Sequence, residues 1–284
     1  MESAPSGEPD RALARYEYDA ASSGFAYAMR DIREGLRRTS LAATLIRAGF
    51  IQRHNGVVSA IFWTLLITVA TVGGMAILWG RIFAADLQFF LPYVACGIIV
   101  WGLISSLLNG AAGVFIAARG TYTQTPMAKT LFAIRSVGIE LITFLVKLVV
   151  LVGAMLLVSR TVGLLDLVLA VAGLSLILIT GFSLCLSLGV LGARFRDVPN
   201  LTSVALTFAF FLTPVFWTTD RLGDWSWVVK LNPLYHYLNI FRGPLMGLDG
   251  TGLSFAVAGG VTAASAVIGW VCFGLFARRL NYWA

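Results

Sequence analysis

The sequence predicts an all-α polytopic membrane protein, and three observations lead there. The chain of 284 residues is 58% hydrophobic and only 12% charged, where average soluble domains carry about 25% charged residues. Its apolar residues gather into long runs, and about 20 such residues carry a helix across the hydrocarbon core. Its net charge of +7 collects at the ends of those runs, as membrane topology demands. No basic strip with interleaved aromatics lies on a soluble segment, so the charge does not indicate nucleic acid.

Residues 1–24 are rich in Ser, Ala, Gly and acidic side chains, which predicts a mobile tail. Residues 25–56 predict an amphipathic interface helix. Ile32, Leu36, Ala43, Ile46 and Phe50 share one face at helical spacing, with Arg30, Arg33 and Arg37 turned away. Leu41 and Leu45 land on the opposite side. Two readings fit: a break at Thr39-Ser40, or a helix covered on one face by lipid and on the other by a partner. Arg37 and Arg38 also suit anionic headgroups. The region is Arg-rich, unlike a secretory leader, so the first apolar run is expected to remain in the membrane.

Six spans follow, at 57–79, 89–118, 136–159, 167–193, 198–219 and 254–277, within a permease domain of 57–284. Pro92 predicts a kink or tilt in the second. With the N-terminus inside, inner segments hold fifteen Lys/Arg and outer segments five. The positive-inside rule then places both termini in the cytoplasm. Counting 225–248 as a seventh crossing would put Arg278 and Arg279 outside, so this segment is read as entering and leaving on the outer side. It divides into short pieces, 225–231 and 234–242, because Pro233 lacks an N–H and drives Asn232 out of helical geometry. Irregular backbone at membrane depth must be buried in protein or face water. The alternative is a flat interfacial hairpin anchored by Trp225, Trp227, Tyr235 and Tyr237.

Residues that carry catalysis are scarce. His54 and His236 are expected on opposite sides of the membrane. Cys96, Cys185 and Cys272 lie in apolar runs without metal or disulfide spacing. There is no metal-ligand cluster and no phosphate loop of the G-x-x-x-x-G-K-[ST] type. Asp220 and Asp224 read as turn residues. No catalytic site, metal or cofactor is therefore expected in this chain. Glu140 and Lys147 are the intramembrane charges, expensive in lipid and notable for that reason. Seven residues apart, they cannot pair within one helix. The loop 119–135 contains Pro126-Met127-Ala128-Lys129, where Pro suits the first position of a short helix.

The order of these pieces resembles the ABC-2 export permeases, and among them the polysaccharide exporter (Wzm-like) branch. The residues that carry the likeness are Ala193-Arg194-Phe195-Arg196-Asp197-Val198, Thr213-Pro214-Val215, Leu231-Asn232-Pro233-Leu234 and Phe241-Arg242. It extends from about residue 30 onward and looks closest to a cell-wall galactan exporter permease. Where the family often has Arg-Asp late in the surface helix, this chain has Arg47-Ala48.

The resemblance implies a homodimer with two copies of a separate ABC ATPase, which binds ATP and Mg. The implied substrate is a polyprenyl-pyrophosphate-linked glycan, galactan or O-antigen-like, crossing the inner membrane for cell-wall biogenesis. Spans one and five would line the path and the re-entrant pieces would gate it. Phe208, Phe211, Phe216, Trp217, Tyr235 and Tyr237 then form an aromatic sliding surface for sugar C–H faces. Arg47 and Arg53 are candidates for the lipid pyrophosphate. Arg119, Pro126, Lys129 and Arg135 are expected to face the ATPase. The rivals are a drug or lipid ABC-2 permease, a proton-coupled carrier, and an enzyme acting on lipid-linked sugar.

Overall fold

The computed structural model describes residues 24–54, 57–122, 124, 127–219, 223 and 226–283. Among these residues every regular element is a helix. The elements are α1 (Gly24–Arg37), α2 (Thr39–His54), α3 (Val57–Ile82), α4 (Leu87–Tyr122), α5 (Thr130–Leu157) and α6 (Leu164–Arg194). They continue with α7 (Val198–Leu212), α8 (Ser226–Lys230), α9 (Pro233–Met246) and α10 (Thr251–Phe276). A 3₁₀ turn (Ala277–Arg279) and α11 (Leu280–Trp283) close the chain.

Five of the described helices, α3, α4, α5, α6 and α10, are long and apolar enough to cross a membrane. α4 stands in the middle, packed against α3, α5, α6, α7 and α9. Its 36 residues reach about 54 Å, well beyond the expected 89–118. α5 starts six residues before the expected 136, so Glu140 lies almost three turns inside the helix and not one.

The run 198–219 departs furthest from its expectation of one continuous span. α7 has 15 residues, about 22 Å against a hydrocarbon core of about 30 Å. The helix stops because Pro214 disfavours helical geometry in the residue before it, and Thr213 is extended at φ −100° and ψ 132°. Asn232-Pro233 acts in the same way on the segment that follows. Asn232 is extended, its side chain accepts from the Leu234 N–H, and Pro233 opens α9. α9 is buried from His236 to Met246 among α4, α6 and α10. It ends at Gly247, which is left-handed at φ 62°, a conformation that favours glycine.

The amphipathic segment expected over 25–56 is two helices, parted at Arg38, next to the Thr39-Ser40 break that one of the two readings allowed. Thr39 and Ser40 prefer helix ends to helix interiors. The break changes which face turns inward. Leu36 and Ala43, expected on the apolar stripe, are exposed. The buried residues are Ala28, Asp31 and Gly35 on α1, and Ala42, Gly49 and Phe50 on α2. Small residues are needed there: a Cβ at Gly35 would come within 2.9 Å of the Thr130 side chain. α1 rests on α10 and the start of α5, and α2 lies along α5. Leu41 and Leu45, which the stripe left opposite, pack with Ala42 against Ala128 and Leu131.

Candidate functional site

The segment that follows α7 is irregular backbone held from four directions. Arg242, at 1% exposure, donates from Nη1 to the Pro214 carbonyl at 2.8 Å. Its guanidinium lies 4.1 Å from the centre of the Tyr93 ring, a cation–π contact that gains strength when desolvated. The Tyr93 hydroxyl donates to the Trp217 carbonyl at 2.8 Å. Asn232 donates from Nδ2 to Thr213 Oγ1 at 2.9 Å. On α4, a Cβ at Gly97 would overlap the Val215 carbonyl. Three pieces separated in sequence, Thr213-Pro214-Val215, Asn232-Pro233 and Phe241-Arg242, thus meet in one assembly. Arg242 and Tyr93 supply partners for its carbonyls, Asn232 meets the Thr213 hydroxyl, and Gly97 leaves room to approach.

The aromatic candidates divide around this assembly. Phe208 and Phe211 are exposed along α7, beside Leu201, Val204 and Leu212. Trp217 and Tyr235 are half-buried. Phe216 is buried against Trp79 and Phe210, so it does not offer a free ring. Tyr237 is also withdrawn from any surface. Its hydroxyl shares hydrogen bonds with Thr180 and Thr262, at 2.7 and 2.8 Å, and lies 3.2 Å from the Ala258 carbonyl. A buried phenol needs a partner for its O–H. Here that need ties α9 to α6 and α10, which corrects the expectation of a sliding-surface role for both rings.

The opposite end of the bundle has its own polar knot. Asp31 on α1 accepts from the backbone N–H groups of Lys129 and Thr130, both at 2.8 Å, and from Thr130 Oγ1. It therefore caps the first turn of α5 across a large sequence gap, satisfying donors that a helix start leaves orphaned. Burial pushes its carboxyl above the usual 3.8, while the donors from Thr130 and Lys129 pull it back. Lys129 is buried and donates from Nζ to the Ala277 carbonyl at 2.6 Å. Burial lowers its ammonium from 10.5 to about 8, opposed by the nearby Asp31 carboxylate. Its ammonium also lies over the rings of Tyr27 and Tyr122. Lys129 therefore joins α1, α5 and the C-terminal turn, and does not project toward a partner as expected. Asp31 was absent from the sequence reading. Its signal, one of two acids on a basic helix, gains meaning only from the Lys129-Thr130 backbone opposite it.

The remaining charged candidates lie near each other but in different circumstances. Arg47 is exposed. Arg53 pairs from Nη1 with Glu140 Oε1 at 2.5 Å, the carboxylate side chain being 8% exposed and the guanidinium 52%. Six residues apart on α2, the two arginines point about 120° from one another, so they do not form one clamp. Arg119 is exposed in the last turn of α4, and Pro126 lies outside the described residues. Arg135 is half-buried, its Nε covered where it passes Gly49 of α2. Lys147 reaches α4 at Gly102, where a Cβ would stand 3.3 Å from its Nζ. Among the described residues no three His, Cys, Asp or Glu side chains are grouped to hold a metal ion.

A family model described as ABC-2 type transporter matches residues 41–246. A search of the curated proteins returns no match. The matched stretch runs from α2 to the end of α9 and contains the whole Pro214–Arg242 assembly. Members of this family are transport subunits and not enzymes; they typically pair with a nucleotide-binding ATPase and often dimerise. With five long apolar helices and nearly three quarters of its length matched, the chain is a multi-pass membrane protein belonging to the ABC-2 type transporter family.

Proposed function

We propose that the chain is the permease subunit of an ATP-driven exporter of a polyprenyl-pyrophosphate-linked polysaccharide, galactan or O-antigen-like. Two copies assemble with two ATPase subunits in the inner membrane, and both termini are cytoplasmic. The observation that carries the reading is the apolar, partly aromatic face of α7. Leu201, Val204, Phe208 and Phe211 are all more than half exposed, and α3 presents a similar face through Val58, Phe62, Trp63 and Ile67. Such faces require lipid or a second protein surface. Paired across a two-fold axis, α3 and α7 of each copy enclose a path whose rings meet sugar C–H faces without a deep binding minimum.

In this reading α7 and the irregular stretch after it complete a sixth crossing. α8 and α9 enter and leave from the outer side. The Arg242–Pro214 and Tyr93–Trp217 bonds fix the outer end of the path to α4 and α9. α1 and α2 lie on the cytoplasmic face, where the Asp31–Lys129–Ala277 knot joins α1 to the start of α5 and to the turn after α10. Motion delivered by an ATPase to this end then moves the spans as a unit. Arg119, exposed at the end of α4, and the stretch just after it are the contact for that partner. Arg47, exposed on α2, and Arg53, paired with Glu140, each offer a separate cation to the pyrophosphate.

The test is depletion of the protein in its native cell. Lipid-linked glycan should accumulate on the cytoplasmic side, and export should stop without ATP yet survive collapse of the proton gradient. Unchanged glycan distribution on depletion refutes the exporter reading. Accumulation of a drug or a simple lipid identifies the other ABC-2 cargo class. Arg47→Ala and Arg53→Ala should stop export while the complex still assembles. Glu140→Gln combined with Arg53→Ala separates headgroup binding from the loss of the ion pair. Normal export by both single variants removes these two arginines from the substrate path.

A further inference from the structure

Between α4 and α5, beneath α2, lies a cavity of about 490 Å³. We infer that it is a binding site for the phosphate-bearing headgroup of a lipid, with Arg135 as its principal cation. Arg53, Asn109, Arg135, Ser136 and Glu140 supply its polar wall, and Val114, Phe132 and Ile139 supply apolar wall. Mixed lining of this kind fits an amphiphile, and the volume falls in the range of small-molecule sites, roughly 300–1,000 Å³.

Charge decides the class of ligand. Glu140 is the one carboxylate in the lining, and Arg53 already neutralises it. Arg135 remains. Its Nε is buried and has no hydrogen-bond partner. Lys147 adds a further cation from the same face of α5, about two turns beyond Glu140, where it reaches Gly102 just past the Ser105 edge of the cavity. A half-buried guanidinium beside apolar wall, with no carboxylate of its own, is a cation that an anion in the cavity can pair with. The planar fork of Arg suits phosphate oxygens in particular.

The cavity is built and not a chance gap. The Arg135 guanidinium passes under α2 at Gly49, where a Cβ would come within 2.7 Å of its Nε. On α4, a Cβ at Gly113 would have no heavy atom within 4 Å, and Gly113 lines the cavity. Glycine at these two positions keeps both the cation and the space in place.

The headgroup has two sources with shared chemistry: a membrane phospholipid and the diphosphate end of an isoprenoid carrier. The second rests on the exporter reading above. The experiment uses the full chain purified in dodecyl maltoside. It is titrated separately with farnesyl diphosphate and with dioctanoyl phosphatidylglycerol, following thermal unfolding. Ligand should raise the melting temperature of the wild type. Arg135→Gln should raise the half-saturating concentration by at least about tenfold, the worth of one charge-assisted hydrogen bond. Gly113→Leu, whose Cβ would have no heavy atom within 4 Å, should do the same while leaving the unliganded melting temperature near the wild type. Saturation by farnesyl diphosphate alone assigns the site to the carrier. Saturation by phosphatidylglycerol as well assigns it to anionic lipid in general. No shift with either ligand, or unchanged half-saturation in Gly113→Leu, overturns the proposal. The depletion experiment is independent of this one. Glycan accumulation without cavity binding sinks only the cavity, and cavity binding without accumulation sinks only the exporter reading.

Discussion

Asp31→Ala tests whether the surface helices are locked to the bundle. The carboxylate accepts from two backbone N–H groups and one hydroxyl, all buried. The hydroxyl can turn to another acceptor, but the two N–H groups at the start of α5 cannot. A buried donor left without a partner costs about 1–3 kcal/mol, so the two together cost roughly 2–6 kcal/mol before relaxation. Removing Asp31 also relieves the burial penalty that pushes its carboxyl above 3.8, and water can reach part of the site. The low end, about 2–3 kcal/mol, is therefore expected. At 1.4 kcal/mol per factor of ten this is roughly a 30- to 140-fold increase in local opening. Hydrogen exchange followed by mass spectrometry reads it directly on peptides covering 127–133 and 24–37. Those peptides should exchange faster, while peptides from α6 should not change. Protection within threefold of the wild type in both peptides would falsify the locking role of Asp31.

Three further outcomes are expected. For Lys129 the folded ammonium sits at about 8 against 10.5 when free. Between these values the unfolded chain binds the extra proton, so this group's contribution to stability grows as the pH rises from about 8 toward 10.5, by roughly 3 kcal/mol at most. The stability of wild type relative to Lys129→Met should thus increase between pH 8 and pH 10 in detergent unfolding experiments; a flat difference refutes the burial argument. Gly97→Val places side-chain atoms on the Val215 carbonyl and should lower the melting temperature or block folding, with Gly102→Ala as the mild comparison on the same helix. A Gly97→Val protein as stable as wild type would mean that α4 and the stretch after α7 do not touch. Tyr237→Phe removes the hydroxyl shared by Thr180 and Thr262 and should cost about 1–2 kcal/mol in SDS unfolding. No loss of stability there would show that the threonines satisfy each other without it.

The legible parts of this protein are those written in local chemistry. Long charge-free runs at 57–79 and 89–118 mark α3 and α4 because hydrocarbon admits few other segments. The Pro233 break was readable because proline acts on its own neighbours. Pro214 carries the same local signal, yet a continuous span over 198–219 was expected: the run is apolar on both sides of it. Its consequence depends on whether α4 and α9 can satisfy the carbonyls that the broken helix exposes. Arg242 does so from across the fold, together with Tyr93. The aromatic candidates show the same limit. Phe208, Phe216 and Tyr237 are all aromatic on paper, and only the tertiary structure leaves the first exposed and buries the other two.

By itself, then, the sequence determined a helical membrane protein, its apolar spans and the proline that separates α8 from α9. These follow from transfer energies and backbone restrictions that act within about 20 residues. The tertiary structure decided which polar groups find one another. Asp31 caps a helix that begins 99 residues later. Arg242 clamps a carbonyl 28 residues earlier. Arg53 neutralises Glu140 from 87 residues away and leaves Arg135 as the cation of the cavity. No local pattern encodes such pairings, because a buried charge acquires its role from whatever the fold places within about 3 Å of it.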